Sequence, residues 1–78
     1  MKVYVLCAEH YSVPGIVLKL FDHEDKAKAE CVELVNIMLD DSRLPRADAA
    51  NWEGCLAVLQ DIHGAAHCYV EYQLMAVE

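Results

Sequence analysis

The residues from Asp22 to Ser42 form the longest periodic segment of the chain, and they restrict its fold more than any other stretch. Apolar residues recur there at positions i, i+3, i+4 and i+7, which indicates an amphipathic helix rather than a strand. The apolar side consists of Ala27, Cys31, Leu34, Val35 and Met38, with Val32 and Leu39 on its flank. We expect Asp22 to be the N-cap residue, with Asp25 in a capping-box-like position. The helix should end shortly before Pro45, because the residue that precedes a proline avoids the helical region.

Three other segments are rich in β-forming residues and predict strands, over Lys2–His10, Ile16–Phe21 and Ala66–Val77. A turn is expected at Val13-Pro14-Gly15, where proline and glycine stand as a type II turn requires, so the first two strands should form an antiparallel hairpin. The last strand alternates most clearly. Its expected core side consists of Cys68, Val70, Tyr72, Leu74 and Ala76.

A second helix is predicted from Asp48 to His63, with Gly64 as its stop and Trp52 as a core anchor. Its apolar side consists of Trp52, Cys55, Leu56, Leu59 and Ile62. The element order is therefore β-β-α-α-β in one α+β domain over residues 1–78, with a three-stranded, mainly antiparallel sheet and both helices packed on one face. The pattern leaves open whether the last strand pairs with the first or the second strand.

Both alternating sides of the first strand are apolar, which predicts that this strand is central or that its outer face is covered. In the second strand, the stronger apolar side is Ile16, Leu18 and Leu20. The face away from the helices is then expected to hold Tyr4, Leu6, Val17, Lys19, Tyr69 and Glu71. Two copies packed through this face, a different partner, or a partly apolar face left in water would each account for it. The possible dimer residues are Tyr4, Leu6, Val17, Tyr69 and Glu71.

The outer side of the first helix is acidic and contains one apolar residue, Ile37. The carboxylates around it are Glu30, Glu33, Asp40 and Asp41. Ile37 is either a half-covered residue at the edge of the apolar arc or a contact point for a partner protein, ringed by carboxylates.

The net charge of −7, from 13 acidic and 6 basic residues, argues against direct nucleic-acid binding, which needs clustered lysine and arginine. Such a chain could instead present carboxylates to a basic groove, or its acidity could serve solubility alone. The hydrophobic content of 56% is high for a single small domain, so part of the apolar surface is expected to be shared with a partner or a second copy.

No motif in the chain indicates catalysis or a bound cofactor. The cysteines Cys7, Cys31, Cys55 and Cys68 lie too far apart in sequence for a structural zinc site and fall on apolar faces. Pairing of Cys7 with His10, or of Cys68 with His63, is the nearest approach to a nucleophile and base. We predict a non-enzymatic protein with no metal or cofactor and with free thiols in its core. The lack of a visible signal peptide or of a long apolar run predicts a cytoplasmic protein that has no contact with membranes.

Three segments carry a resemblance to small proteins encoded by phages and mobile elements, including anti-CRISPR proteins. They are KVYVLCAEHY, FDHEDKAKAE and WEGCLAVLQDIHG with YVEYQL after it, and together they cover most of the chain. The resemblance implies stoichiometric binding to a host protein or ribonucleoprotein complex that processes nucleic acids. It assigns no site residue by residue.

Two functions of different classes follow as expectations. The first is an acidic, non-enzymatic inhibitor in the host cytosol that blocks a basic nucleic-acid-binding surface through Glu30, Glu33, Ile37, Asp40 and Asp41. The alternative is a homodimeric structural or accessory protein that associates through the outer sheet face.

Overall fold

A computed structural model describes residues 2–10 and 13–76, with only the backbone described at 13 and 14. Its elements are β1 (Lys2–His10), β2 (Val13–Phe21), α1 (Glu24–Asp41), α2 (Trp52–His63) and β3 (Tyr69–Ala76). The strands form one antiparallel sheet in the order β2-β1-β3, and the helices pack on one of its faces. The predicted α+β class and element order are confirmed. The last strand begins later than expected, pairs with β1, and has its predicted end at Val77 outside the described residues.

The segment predicted as a turn lies inside β2, so that prediction is wrong. Glu9 is opposite Ile16 and His10 is opposite Val13, which leaves Pro14 and Gly15 as extra residues at a register shift. The backbone of Gly15 has φ 105°, a conformation that glycine adopts without the steric cost of a Cβ atom. Proline is tolerated there because β2 is an edge strand. The same residue types that favour a turn therefore make a β-bulge.

The two glycines at 15 and 54 provide an opposed pair of stability predictions. Gly15→Ala should lower the free energy of unfolding by about 1 kcal/mol or more, because alanine at positive φ is strained. Gly54→Ala should raise it by roughly 0.5–1 kcal/mol, because Gly54 lies within α2 and an added Cβ atom meets nothing within 4 Å. Urea denaturation of the two variants beside the parent protein measures both. Equal changes of the same sign in the free energy of unfolding would contradict the positive φ angle at Gly15.

Helix α1 begins at Glu24 with His23 as its N-cap residue, so the predicted cap at Asp22 is wrong. The Asp22 carboxylate instead accepts a hydrogen bond from the Lys26 ammonium at 3.1 Å. That hydrogen bond holds the pKa of Asp22 below its usual value. A second pair of the same spacing, Glu24 with Lys28 at 3.2 Å, lies in the next turn. Ion pairs between residues four apart thus replace the expected cap at this end of α1.

Helix α2 begins at Trp52 rather than at Asp48, because Asp48 closes a turn of its own. Its carboxylate accepts hydrogen bonds from the amides of Ala50 and Asn51, at 2.8 and 3.0 Å. The Asn51 side chain accepts in return from the Asp48 amide at 2.7 Å. Aspartate and asparagine stabilise such turns in competition with helix, so the helical pattern starts late. The end of α2 is as predicted, with Gly64 at φ 92° directly after His63.

The core lies between the helices and one face of the sheet. Helix α1 contacts all three strands, and α2 contacts α1 and β3. The core cluster consists of Leu6, Ala8, Cys31, Val35, Met38, Leu39, Trp52, Leu56, Leu59, Cys68 and Val70. Burial of Trp52 confirms its predicted role. Ile62 was expected on the core side of α2 but is 58% exposed.

The alternation of β1 and β2 is opposite to the predicted one. Leu6 is fully buried under the helices, whereas Leu18 and Leu20 are 66% and 67% exposed on the other face. Both alternating sides of these strands are apolar, so hydrophobicity alone does not select the buried one. Lys19 shares the helix side of the sheet and pairs with Glu30 of α1 at 3.1 Å. On an edge strand, the long lysine side chain can cover apolar surface while its ammonium reaches a carboxylate.

One polar side chain of α1 lies in the interior of the protein. Asn36 is 7% exposed, and its amide group binds both polar atoms of one backbone position. Its Nδ2 donates to the Ala47 carbonyl at 3.0 Å, and its Oδ1 accepts from the Ala47 amide at 2.6 Å. A buried asparagine that is paired in this way fixes the connection between α1 and α2 against the helix.

Asn36→Ala should lower the free energy of unfolding by about 1–3 kcal/mol, because it leaves a partly buried peptide group without its partners. Chemical denaturation measures the change. Glu33→Ala, on the exposed side of the same helix, is the matched control and should stay within about 0.5 kcal/mol of the parent protein. If both variants have the same free energy of unfolding as the parent protein, the hydrogen bonds between Asn36 and Ala47 do not stabilise the fold.

Candidate protein-binding surfaces

The acidic face of α1 is the set Glu30, Glu33, Ile37, Asp40 and Asp41, of which Glu30 is half-buried and the others are exposed. Ile37 is 48% exposed and stands outside the core cluster. These residues lie away from the buried side of α1, with Glu30 on the flank next to β2. They form a convex ridge with one apolar residue among carboxylates.

Two carboxylates of the acidic face are partly offset by basic residues. Glu30 pairs with Lys19 at 3.1 Å, and Asp40 lies 3.5 Å from the guanidinium of Arg46. Exposed pairs of this kind are worth about 1 kcal/mol or less, so a stronger basic partner can replace them. Glu33 and Ile37 are therefore the centre of the face, with Asp40 at its end.

The last turn of α1 is acidic and contains no basic residue. Carboxylates at a helix C-terminus lie near the negative end of the helix dipole and destabilise it slightly, by roughly 0.3–1 kcal/mol each at low salt. Asp40 and Asp41 thus occupy positions at which lysine or arginine would stabilise the helix more. Residues that oppose local stability are often retained for another purpose.

The open sheet face is a second surface, on the side of the sheet away from the helices. Residues opposite each other in adjacent strands share a face, so the ladder defines its members. They are Val3, Val5, Cys7, Glu9, Ile16, Leu18, Leu20, Tyr69, Glu71, Gln73 and Met75. Ile16, Leu18 and Leu20 are each at least 60% exposed, and Met75 is 48% exposed. The face is therefore apolar along β2 and most of β1, and it is mixed along β3, where Glu71 and Gln73 share it.

Only part of the predicted dimer face lies on the open sheet face. Tyr69 and Glu71 do, but Tyr4, Leu6 and Val17 face the helices. The correction follows from the opposite alternation of β1 and β2. The sequence pattern therefore predicts an apolar surface on the correct side of the sheet, but with the wrong residues in two strands. An antiparallel ladder that pairs Cys7 with Glu71 would have revealed the conflict.

The tyrosines of the sheet do not form a common platform for stacking bases. Tyr69 is on the open sheet face, whereas Tyr4 is on the helix side, with its ring 6.4 Å from that of Tyr72. The Tyr69 hydroxyl lies 3.9 Å from the Cys7 sulfur. This contact, with partial burial, raises the pKa of Tyr69.

The sequence suggested that Cys7 could pair with His10, or Cys68 with His63. In the structure, the two cysteine sulfurs contact other side chains. The Cys68 sulfur lies 3.6 Å from that of Met38 in the core, and Cys7 contacts Tyr69. His63 is instead 3.2 Å from the Ser42 hydroxyl, an interaction that sequence reasoning missed. Ser42 directly follows α1, and His63 is the last residue of α2. This hydrogen bond therefore joins the C-terminal ends of the two helices.

Three open grooves lie at the surface, and neither Ser42 nor His63 lines any of these three. One, of about 490 Å³, lies at the β1 and β2 ends beside Lys2, Val3 and Leu20. Two smaller ones lie beside α2. Within residues 2–10 and 13–76, no group of three or more histidine, cysteine, aspartate or glutamate side chains is placed to hold a metal ion. In the same part of the chain, no helix is long and apolar enough to cross a membrane.

Comparison with known proteins finds no matching protein-family model, curated protein or solved structure. The two surfaces must therefore be interpreted from their own chemistry.

The cysteines should divide by reactivity toward a thiol reagent such as DTNB. Burial, followed by the nearby Glu30 and Glu53 charges, raises the pKa of Cys31 to about 11, and burial raises that of Cys68. At pH 8, only about one thousandth of Cys31 is thiolate, so both buried thiols should react much more slowly than the half-buried Cys55. Timed quenching and peptide mass spectrometry measure each rate. Equal rates at Cys31 and Cys55 in folded protein would contradict the assigned core.

Proposed function

We propose that this protein is a non-enzymatic inhibitor of the anti-CRISPR kind, encoded by a phage or mobile element and acting in the host cytosol. It binds a host protein or ribonucleoprotein complex at a basic surface that otherwise holds nucleic acid. The contact is made by the acidic face of α1. The observation that carries the proposal is this ridge of carboxylates around the exposed Ile37.

Charge supports this mode of action. A chain with net charge −7 is attracted to a surface built for phosphates, and like charge keeps it away from nucleic acid itself. Carboxylates on a helix can accept hydrogen bonds from arginine and lysine as phosphate oxygens do. The apolar side chain of Ile37 adds contact area that nucleic-acid backbone does not provide.

The position of the acidic face supports occlusion rather than catalysis. It is a convex surface on the outer side of a helix, with no enclosing walls, whereas substrate sites are concave. A convex ridge fits into a groove of a larger partner. Inhibition by such a ridge is stoichiometric, so its extent follows the ratio of inhibitor to complex rather than time.

The proposal predicts that Glu33→Lys/Asp40→Lys abolishes inhibition while the fold is retained. The complex captured from the native host by the parent protein is purified, and its binding to labelled DNA or RNA is titrated with each variant by gel shift. The double variant should lose at least ten-fold in apparent affinity. Its melting temperature should change little, because the reversal at Asp40 loses a weak pair but relieves an unfavourable dipole contact.

Glu53→Lys/Asp61→Lys is the matched control, since it changes the net charge equally at exposed positions of α2. It should keep most of the inhibition. Equal losses in both variants would mean that only the overall charge matters and that α1 is not the site. Undiminished inhibition by the α1 variant, or a failure of bound nucleic acid to compete, would overturn the proposal. Affinity that does not fall as salt rises would contradict charge-driven binding.

A further inference from the structure

We propose that the free edge of β3, together with the groove between β3 and α2, binds an extended basic segment of a partner protein as an added strand. The strand order β2-β1-β3 leaves β3 with a neighbour on one side only within the described part of the chain. A strand at a sheet edge presents unpaired backbone N–H and C=O groups, which can pair with a strand of another chain. This surface is separate from the acidic face of α1, so the inference does not depend on the proposed function.

The two edges of the sheet differ in how well they can accept a strand. Edge strand β2 contains Pro14, which has no N–H to donate, and its register with β1 shifts there. Proline, lysine and bulges are devices by which proteins prevent pairing at an edge. Strand β3 contains no proline, glycine or lysine, and it pairs with β1 without a shift from the Lys2–Ala76 pair to the Glu9–Tyr69 pair. The edge of β3 is therefore regular enough to accept a further strand.

A groove of about 420 Å³ lies between α2 and β3. Among the described strands, α2 contacts β3 alone, so this helix lies toward the free edge. Val70 and Tyr72 point to the helix side of the sheet and Glu71 to the open face, because successive residues of a strand alternate. A groove that is lined by all three therefore includes the edge itself. Its other lining residues are Trp52, Glu53 and Leu56.

The indole of Trp52 adds an unpaired donor to this surface. Trp52 is 6% exposed, and its indole N–H has no hydrogen-bond acceptor among the described residues. Every fully buried polar side-chain atom in the same part of the chain has a partner, so this N–H reaches the protein surface. Of the three grooves, Trp52 lines only the one beside β3. A carbonyl oxygen would satisfy the donor, and an extended peptide presents one at every residue.

Alternation and charge define the sequence of the occupant. Residues opposite each other in adjacent strands share a face. The residues opposite Val70 and Tyr72 would therefore lie on the helix side, against the apolar lining of the groove, and the residue opposite Glu71 would lie on the open face. Glu53 and Glu71 are exposed, and neither forms an ion pair within the described residues, so both favour a basic side chain. The expected partner is an extended segment in which apolar residues alternate with lysine or arginine.

A second copy of the chain fits this edge less well. Its β3 would bring another Glu71 and no lysine or arginine, so pairing of two such edges would add acidic charge without a basic partner.

The test uses a synthetic peptide of eight residues, as long as β3, in which valine alternates with lysine. Trp52 is the single tryptophan of the chain, so its emission should change and saturate as the peptide is titrated into the full chain. Amide hydrogen exchange measured by NMR should slow at alternate residues of β3, because only every second backbone group of an edge strand faces outward. No saturable change at millimolar peptide, or protection of β2 or α1 instead, would overturn the proposal. Protection of β3 that rises with protein concentration without peptide would show a second copy as the occupant and would also overturn it.

N-methylated peptides separate strand pairing from attraction to an acidic protein, and they need no variant to fold. N-methylation of every second residue keeps the charge of the peptide. In one of the two alternate sets the N–H groups face β3, so its methylation should weaken binding by about ten-fold or more, whereas methylation of the other set should change it little. Equal affinities of the two methylated peptides would reject backbone pairing.

Charge reversal tests the position of the basic side chain. Glu71→Lys should weaken binding of the valine–lysine peptide by about five-fold at low salt, and it should bind a valine–glutamate peptide more tightly than the parent protein does. Asp61→Lys is the matched control, with the same change of charge at an exposed residue of α2 outside the groove, and it should change both affinities little. Equal effects of the two substitutions would mean that the peptide senses only the overall charge, which would overturn the proposal.

Discussion

The main apolar sides of two helices are buried on one face of a three-stranded sheet, and the rest of the structure follows from this constraint. Helix α1 lies across the three strands. Its buried residues Val35, Met38 and Leu39 belong to the same core cluster as Leu6 and Val70 of the sheet. Burial of each such side chain contributes about 1.5–3 kcal/mol, which is large for a chain of 78 residues. Because the helices cover only one side, the other side of the sheet remains open.

The same constraint explains how far the sequence predicts the fold. Helix α1 could be recognised because only one of its sides is apolar, and β3 could be oriented because Cys68 and Val70 alternate with polar residues. Strands β1 and β2 lack such contrast. The choice between Leu6 and Val5, or between Val17 and Leu18, depends on the partner strand and on which edge residues the helix covers. Pairing across strands, rather than composition within one strand, decides that choice.

Predictions from local sequence were wrong where a residue forms a hydrogen bond that periodicity does not reveal. Asp22 has the chemistry of an N-cap but binds Lys26, and Asp48 forms a turn with Asn51 instead of starting a helix. Asn36 is polar but buried, because its amide matches the peptide group at Ala47. Each outcome depends on a contact that periodicity does not report. The residues of the acidic face could be grouped from the sequence because helical periodicity alone places them on one side of α1. Its partial neutralisation by Lys19 and Arg46 was not, because both come from other elements.

The two surfaces lie on opposite sides of the molecule, which limits how they can act together. The helices and the sheet lie between them, so a partner that holds the acidic face of α1 in a groove does not contact the open sheet face. The carboxylates around Ile37 suit a basic partner, whereas Leu18 and Leu20 suit an apolar one. Binding through one surface therefore leaves the other accessible, and substitutions in one surface should not change the contacts made by the other.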